Sequence, residues 1–305
     1  AAVERNATVH VVYPPGSQAA GMRIGGMSVL ERVLREAARA GATRAVVRLD
    51  AQLPVLPALA LAVERAAPTA PPPAGAAIVP GDLVAGVRVS DEASRKVAER
   101  ALLETCRRPH DGVGDRYVIR AMSLRLTRVF CRLGATPNQV TVANVFVGLL
   151  ACALAQRGTA GSFALAGALM VVQVVLDSSD GEVARLRHMS SRTGMWLDNV
   201  SDDVIDNLFV AALGIGLGGP WVALGLAAAA ARGSCALMIY RDVARAGKPG
   251  DVMAFRWWID SADQELAERY DTTTSTLTTI RGLGRRDLYV LLWGASCMLG
   301  LAPAA

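Results

Sequence analysis

The sequence predicts a multi-domain chain, a small α/β domain followed by an α-helical transmembrane bundle. Three observations lead there. Hydrophobic residues make up 52% of the 305 positions but aromatics only 5%, so the apolar mass is mostly Ala, Val and Leu. The mean hydropathy, +0.32, is high for a soluble protein. Finally, the apolar residues are segregated: short β-prone and amphipathic stretches fill 1–108, and long apolar runs fill 139–305. A net charge of +5 fits Arg enrichment on the cytoplasmic side of a membrane. No aromatic-interleaved basic stretch points to nucleic acid.

The α/β domain, 1–108, is justified element by element. Residues 8–13 (TVHVVY) are β-prone and end at Pro14-Pro15. Ser28 and Glu31 then fit a capping box. Leu30, Val33, Leu34 and Ala37 follow at helical spacing, with Arg32, Arg35, Glu36 and Arg39 on the other faces and Gly41 as the stop. Residues 43–49 predict a strand, and 53–66 a helix interrupted by Pro54 and Pro57. The TAPPPAG stretch is a turn, 76–89 is β-prone, and 91–107 is a charged helix with Asp91 and Glu92 in its first turn. Alternating β and α elements imply a parallel layer.

The order strand, Gly loop, GGMSVLERVLREAARAG, strand resembles the start of a sugar-nucleotidyltransferase domain. Such domains usually carry a Lys where Met27 stands, and the domain here is about half the usual length. The resemblance implies a degenerate, non-catalytic remnant; an unrelated α/β cap accounts for the same elements.

The connector, 109–138, sets Ile119, Met122, Leu124, Leu126, Val129 and Phe130 against Arg116, Arg120, Arg125, Arg128 and Arg132. This predicts an interfacial helix on an anionic leaflet. Five apolar segments follow, at 139–156, 162–183, 196–217, 219–241 and 286–302. Each is long enough, with tilt, for a ~30 Å hydrocarbon core, the last being the shortest. Arginines and lysines gather before the first segment, between the second and third, and between the fourth and fifth. The opposite loops hold only Arg157. The bias places the N-terminal domain and the second-to-third connection on the cytoplasmic side. The first residues lack the apolar run of a secretory leader. The five cysteines form no CxxC pair and read as small buried hydrophobes, and the three histidines have no metal-ligand spacing.

The chemistry concentrates in 177–202. Asp177 and Asp180 share a helix face at i, i+3, as do Asp198 and Asp202 at i, i+4. An Asp near the middle of a spanning helix costs about 2.5–3.5 kcal/mol unless compensated. Carboxylate-only ligation suits Mg²⁺ or Mn²⁺. Two such ions ~3.5–4 Å apart would clamp a pyrophosphate. Gly181 and Gly194 leave room for a nucleotide, and Arg185 offers a fork to phosphate. Asp residues that merely cap helix ends are the bland alternative, and a carboxylate-lined divalent-cation transporter is a second functional one. The eight specified positions argue against the first, and Arg185 beside a cation path against the second.

The pattern D-x-x-D-G-x-x-A-R-x8-G-x3-D-x3-D runs from Asp177 to Asp202 without a mismatch, and residues 136–141 read TPNQVT. Together they resemble the CDP-alcohol phosphotransferase family. The resemblance implies a CDP-alcohol donor, an alcohol acceptor, release of CMP, a role in phospholipid biosynthesis, a membrane location and a homodimer. It implies that Asp177, Asp180 and Asp198 ligate one or both of two metal ions. Asp202 would ligate the second ion or act as catalytic base, and Gly181, Ala184, Arg185 and Gly194 would line the nucleotide site. Some branches fuse a cytidylyltransferase domain to the N-terminus and make phosphoinositol products; RPHDGVGDRYVIRAMSLRLTR and Gly284-Arg285-Arg286-Asp287 look like that branch. The family usually has six spans, against five here, and often Arg where Asp203 stands. Asp203 and Asp206 add negative charge without an assigned role. Arg232 interrupts the fourth apolar segment, to bind an acceptor phosphate or to neutralise a surplus carboxylate.

Overall fold

The computed structural model describes residues 7–50, 56–67, 71–107, 114–247, 255 and 286–302. They form two compact units. One gathers the α/β elements with Cys131–Gly134 and Arg185–His188; the other holds the remaining helices.

The α/β unit is built on a parallel four-stranded sheet of order β5-β4-β1-β6. Its strands are β1 (Thr8–Val12), β4 (Arg44–Arg48), β5 (Ala62–Ala66) and β6 (Ala77–Pro80). Two short hairpins accompany them, β2 (Arg23–Ile24) with β3 (Met27–Ser28), and β7 (Leu83–Val84) with β8 (Val87–Arg88). Val9 and Val11 of β1 and Ala45 and Val47 of β4 are fully buried, as a strand covered on its faces requires. Helix α1 (Val29–Arg39) starts where Ser28 Oγ accepts the Glu31 amide, and it buries Leu30, Val33, Leu34 and Ala37 as its spacing predicts. Helix α2 (Glu92–Glu104) is capped reciprocally by Asp91 and Ser94.

Two expectations are corrected here. Residues 62–66, expected within a helix, form β5 beside β4, because pairing with β4 supplies their backbone bonds and Pro57 blocks a helical lead-in. Arg32, expected on an outer face, is buried: its Nη2 donates to Ile24 O at 3.1 Å, closing the backbone of the β2–β3 hairpin. Pro54 and the start of TAPPPAG lie outside the described residues.

In the helical unit, a π-helical turn (Asp115–Ile119) leads into α3 (Arg120–Leu133). Ile119 and Leu124 are buried, while Arg116 and Arg125 are exposed. Arg120 departs from the predicted basic face: it is buried and ion-paired to Glu182. Helix α4 (Pro137–Ala155) begins at a complete capping box between Thr136 and Gln139, with Pro137 in the first turn. Then come α5 (Ala160–Leu186), α6 (Arg192–Leu217), α7 (Pro220–Arg245) and α8 (Arg286–Met298). Three of these, α4, α5 and α7, are long and apolar enough to cross a membrane. Helix α6 has the length, with 26 residues, but carries Asp198, Asp202, Asp203 and Asp206; α8 has 13 residues.

Small residues set the close crossings. A Cβ on Gly167 of α5 would lie 2.6 Å from Gly294 O of α8, and one on Gly214 of α6 would lie 2.9 Å from Gly225 Cα of α7. Between the helices Met170, Val174, Phe209, Ala212 and Val290 form an apolar core. Four of the cysteines are buried as expected, but Cys235 is exposed on α7. The cations Lys248, Arg281 and Arg285, Gly284 and His110 lie outside the described residues.

Candidate active site

The two halves of the Asp pattern fall on α5 and α6, each positioned by its own local rules. Reciprocal bonds between Thr159 and Ser162 open α5, which carries Asp177 and Asp180 toward its C-terminal end. Ser191 caps α6 by accepting the Gly194 amide at 3.0 Å, which puts Gly194 in the first turn and Asp198 and Asp202 in the next two. Oxygens of Asp177, Asp180 and Asp198 lie within 4.8 Å of one another. Asp180 is buried, and its Oδ2 accepts from Thr141 Oγ1 at 2.6 Å. Asp198 Oδ1 is buried and accepts no hydrogen bond from the described residues. Three hard oxygen donors with one buried lone pair unused fit a Mg²⁺- or Mn²⁺-type ion.

Asp202 stands apart from that trio in its partners. Its Oδ1 accepts from Gln173 Nε2 at 3.3 Å and Asn144 Nδ2 at 3.4 Å, and its Oδ2 from Arg286 Nη1 at 2.8 Å. Arg286 Nη1 also reaches Asp177 Oδ2 at 2.8 Å. In the sequence Arg286 stands out only as part of the family-like tetrapeptide and as the first position of the fifth apolar segment. Its place at the first residue of a short helix 84 residues after Asp202 leaves no local spacing that would have tied it to the cluster.

The surplus carboxylates have partners. Asp206, fully buried, accepts from Arg232 Nη2 at 2.6 Å, Tyr289 OH at 2.9 Å and Arg286 Nε at 3.0 Å. Asp203 accepts from Tyr240 OH at 2.6 Å. Arg232 also stacks on Tyr289, its guanidinium 4.8 Å from the ring centroid. Of the two roles open for Arg232, these contacts are those of a neutralising partner. Buried in the same way is Glu182, in the middle of the motif: it accepts from Arg120 (2.6 Å), Ser123 (2.7 Å) and Thr127 (2.7 Å), tying α3 to α5. The sequence offered a hint in Ser123 and Thr127 among apolar neighbours.

Gly181 and Ala184 continue α5 beyond Asp180, and Arg185 occupies its last turn. A Cβ at Gly194 would meet only Ser191 Oγ, at 2.9 Å, and Asn138 Oδ1, at 3.6 Å.

Comparison with known proteins gives consistent results. The model of the CDP-alcohol phosphatidyltransferase family matches residues 135–298. The chain is 36% identical over 113 residues to a bifunctional IPC transferase and DIPP synthase of Aquifex aeolicus, covering 36% of this chain and 26% of that protein. A protein of the same description from Thermococcus kodakarensis is 36% identical over 121 residues, 39% of this chain and 26% of the relative. An archaetidylinositol phosphate synthase of Pyrococcus horikoshii is 34% identical over 95 residues, 31% of this chain and 48% of that protein. The chain thus spans about a quarter of the length of the first two relatives and about half of the third.

Proposed function

Because the chain belongs to the CDP-alcohol phosphatidyltransferase family, we propose that it moves a substituted phosphate from a CDP-alcohol to an acceptor alcohol in a membrane and releases CMP. The observation that carries this reading is the Asp177, Asp180 and Asp198 trio, gathered within 4.8 Å on the two motif helices. Asp177, Asp180 and Asp198, with Asp202, would hold two Mg²⁺ or Mn²⁺ ions, which when bound neutralise the pyrophosphate and the developing charge. Asp202 takes the proton of the acceptor hydroxyl, held in orientation by Asn144 and Gln173. Gly181, Ala184, Arg185 and Gly194 line the CDP site. Arg232 remains a candidate for acceptor contact only in so far as it can leave Asp206.

The proposed organisation is an α/β domain over 1–108, an interfacial basic helix over 109–138 and the transferase domain over 139–305. In this reading α6 and α8 join α4, α5 and α7 as five spans. The α6 carboxylates are sheltered by Arg232 and Arg286. The Arg bias puts the α/β domain and the Asp cluster on the cytoplasmic side. A homodimer is implied by the family resemblance alone. The relatives' names favour a phospholipid or phosphoinositol-type product.

The test is to incubate purified protein with a panel of CDP-alcohols, CDP-diacylglycerol included, and acceptor alcohols in the presence of Mg²⁺ or Mn²⁺. CMP is followed by mass spectrometry. Metal-dependent CMP release is expected, with Asp198→Asn lowering it by about 10²–10³-fold or more, the scale of losing one electrostatic contact to the transition state. No CMP from any pair, or full activity in Asp198→Asn, would end this reading.

A further inference from the structure

Arg286 does two things with one guanidinium. Its Nε and Nη2 face Asp206, at 3.0 Å from Oδ2 and 3.3 Å from Oδ1, and Nη2 also donates to Gln173 Oε1 at 3.2 Å. That edge is an anchor, because Asp206 is fully buried and is held in turn by Arg232 and Tyr289. The remaining amino group, Nη1, points the other way and bridges α5 to α6, 2.8 Å from Asp177 Oδ2 and 2.8 Å from Asp202 Oδ2.

A small divalent cation shared by Asp177 and Asp202 would bind the same two carboxylates that Nη1 bridges, at about 2.0–2.1 Å for Mg²⁺. A positively charged N–H donor and a divalent ion drawn to one pair of carboxylates repel each other strongly in a partly buried site. Among the described residues, the Asp177, Asp180 and Asp198 trio meets no such competitor at Asp180 or Asp198: Asp180 accepts from the neutral Thr141, and Asp198 Oδ1 has no hydrogen-bond partner. We propose that Arg286 contends with the second divalent cation for the position between Asp177 and Asp202. The two ions therefore bind with unequal affinity, and the second binds only as Nη1 gives way. The Asp206 anchor lets Nη1 yield without setting the whole guanidinium loose, so the arginine stays beside the cluster. The inference rests on the two-ion reading above and adds to it an order of loading set by a residue of the protein.

The experiment is a Mn²⁺ titration of the purified protein, without nucleotide, followed by electron paramagnetic resonance. For the wild type one ion is expected to bind first and a second about tenfold or more weakly, within the usual range of coupling between two ligands. In Arg286→Gln the second ion is expected to tighten by about tenfold while the first changes little. A folded Arg286→Gln protein whose second ion binds no tighter, or more weakly, overturns the proposal while leaving the two-ion reading in place. A wild type that binds no Mn²⁺ overturns both. If Arg286→Gln does not fold, Arg286→Lys carries the test. It keeps a charge for Asp206 but lacks the fork that reaches Asp206 and both other carboxylates at once. Its second ion is expected to gain over wild type by a smaller factor, and no gain overturns the proposal.

Discussion

Thr141 shows how much of the site at the scale of single residues was written outside the Asp pattern. It lies in the second turn of α4, in the TPNQVT stretch that also caps that helix, and gives its hydroxyl to Asp180 at 2.6 Å. Asn144, one turn later, donates its side-chain amide Nδ2 to Asp202 Oδ1 at 3.4 Å. Both are buried polar side chains whose partners lie on other helices, so their types were legible but their targets were not. A residue that orients a ligating carboxylate is worth about 10–100-fold in metal affinity. Thr141→Val, which keeps the shape and removes the hydroxyl, should therefore weaken Mn²⁺ binding on that scale without unfolding the protein. Unchanged affinity in a Mn²⁺ titration would show that the bond does not orient Asp180. His188, in the connection between the motif halves, belongs to no motif that would single it out. Its backbone is left-handed, φ 52°, and both ring nitrogens are buried without a hydrogen bond among the described residues. Burial, with Arg32, Arg39 and Arg35 nearby, pushes its pKa from 6.5 down to about 4. The Glu36 carboxylate, 3.9 Å away and more than half exposed, does not offset this. Below about pH 6.5 the unfolded chain takes up a proton that the folded one refuses until about pH 4. Stability from this group is thus complete above pH 6.5 and lost as the pH falls toward 4. His188→Asn, which tolerates the left-handed backbone, should flatten that slope in thermal melts recorded from pH 7 to pH 4; equal slopes in the two proteins would exclude His188 as the cause.

At the scale of elements, each of the described helices α4 to α8 falls on an apolar run of the sequence, and α4 and α6 open at the caps Thr136 and Ser191. What the runs did not reveal is which helices meet. Gly167 and Gly294 lie 127 positions apart and look like any other small residues in an apolar run, yet each sits against the other's carbonyl. This contact fixes α8 against α5, and α8 begins with Arg286, eight residues before Gly294. The ion pair of Glu182 with Arg120 performs the matching task for α3, and it was hidden because a charge in an amphipathic helix reads as solvent-facing. Gly294→Leu forces a side chain where there is none to spare. Overpacking of this kind typically costs about 1–3 kcal/mol. The melting temperature of the solubilised protein should fall, and CMP release should fall at least about tenfold as α5, which carries Asp177 and Asp180, is pushed off its place against α8, a misplacement of the kind that costs up to ~10²-fold. A variant with wild-type melting and wild-type CMP release would mean that the close approach of α5 and α8 does not position the site.

For the whole molecule, the question is whether one chain both makes and uses its CDP-alcohol. The parallel sheet and the first βαβ turn were legible from alternation alone, and they place the Gly25-Gly26 turn and Met27 where the resemblance to nucleotidyltransferases expects a phosphate-binding loop and a lysine. The side chains there tell against such use. Met27 is buried, so the position expected to present a cation presents a packed thioether. An open cleft of about 410 Å³ does lie beside the turn, lined among others by Arg23, Arg95 and Arg132. Each arginine is already engaged: Arg23 with Gly26 O at 2.7 Å, Arg95 with both oxygens of Glu92 at 2.6 Å, and Arg132 with Glu99 at 3.1 Å. A nucleoside triphosphate there would share these arginines with the carboxylates of Glu92 and Glu99, which also line the cleft and would repel its phosphates. The protein should therefore form no CDP-alcohol and release no pyrophosphate when given CTP, Mg²⁺ and a phosphorylated alcohol, while still releasing CMP when the matching CDP-alcohol is supplied ready-made. Pyrophosphate above the level of a protein-free control would show instead that the α/β domain is an active cytidylyltransferase. Restoring a cation by Met27→Lys is expected not to create the activity, because position 27 is only 4% exposed and is not among the residues that line the cleft.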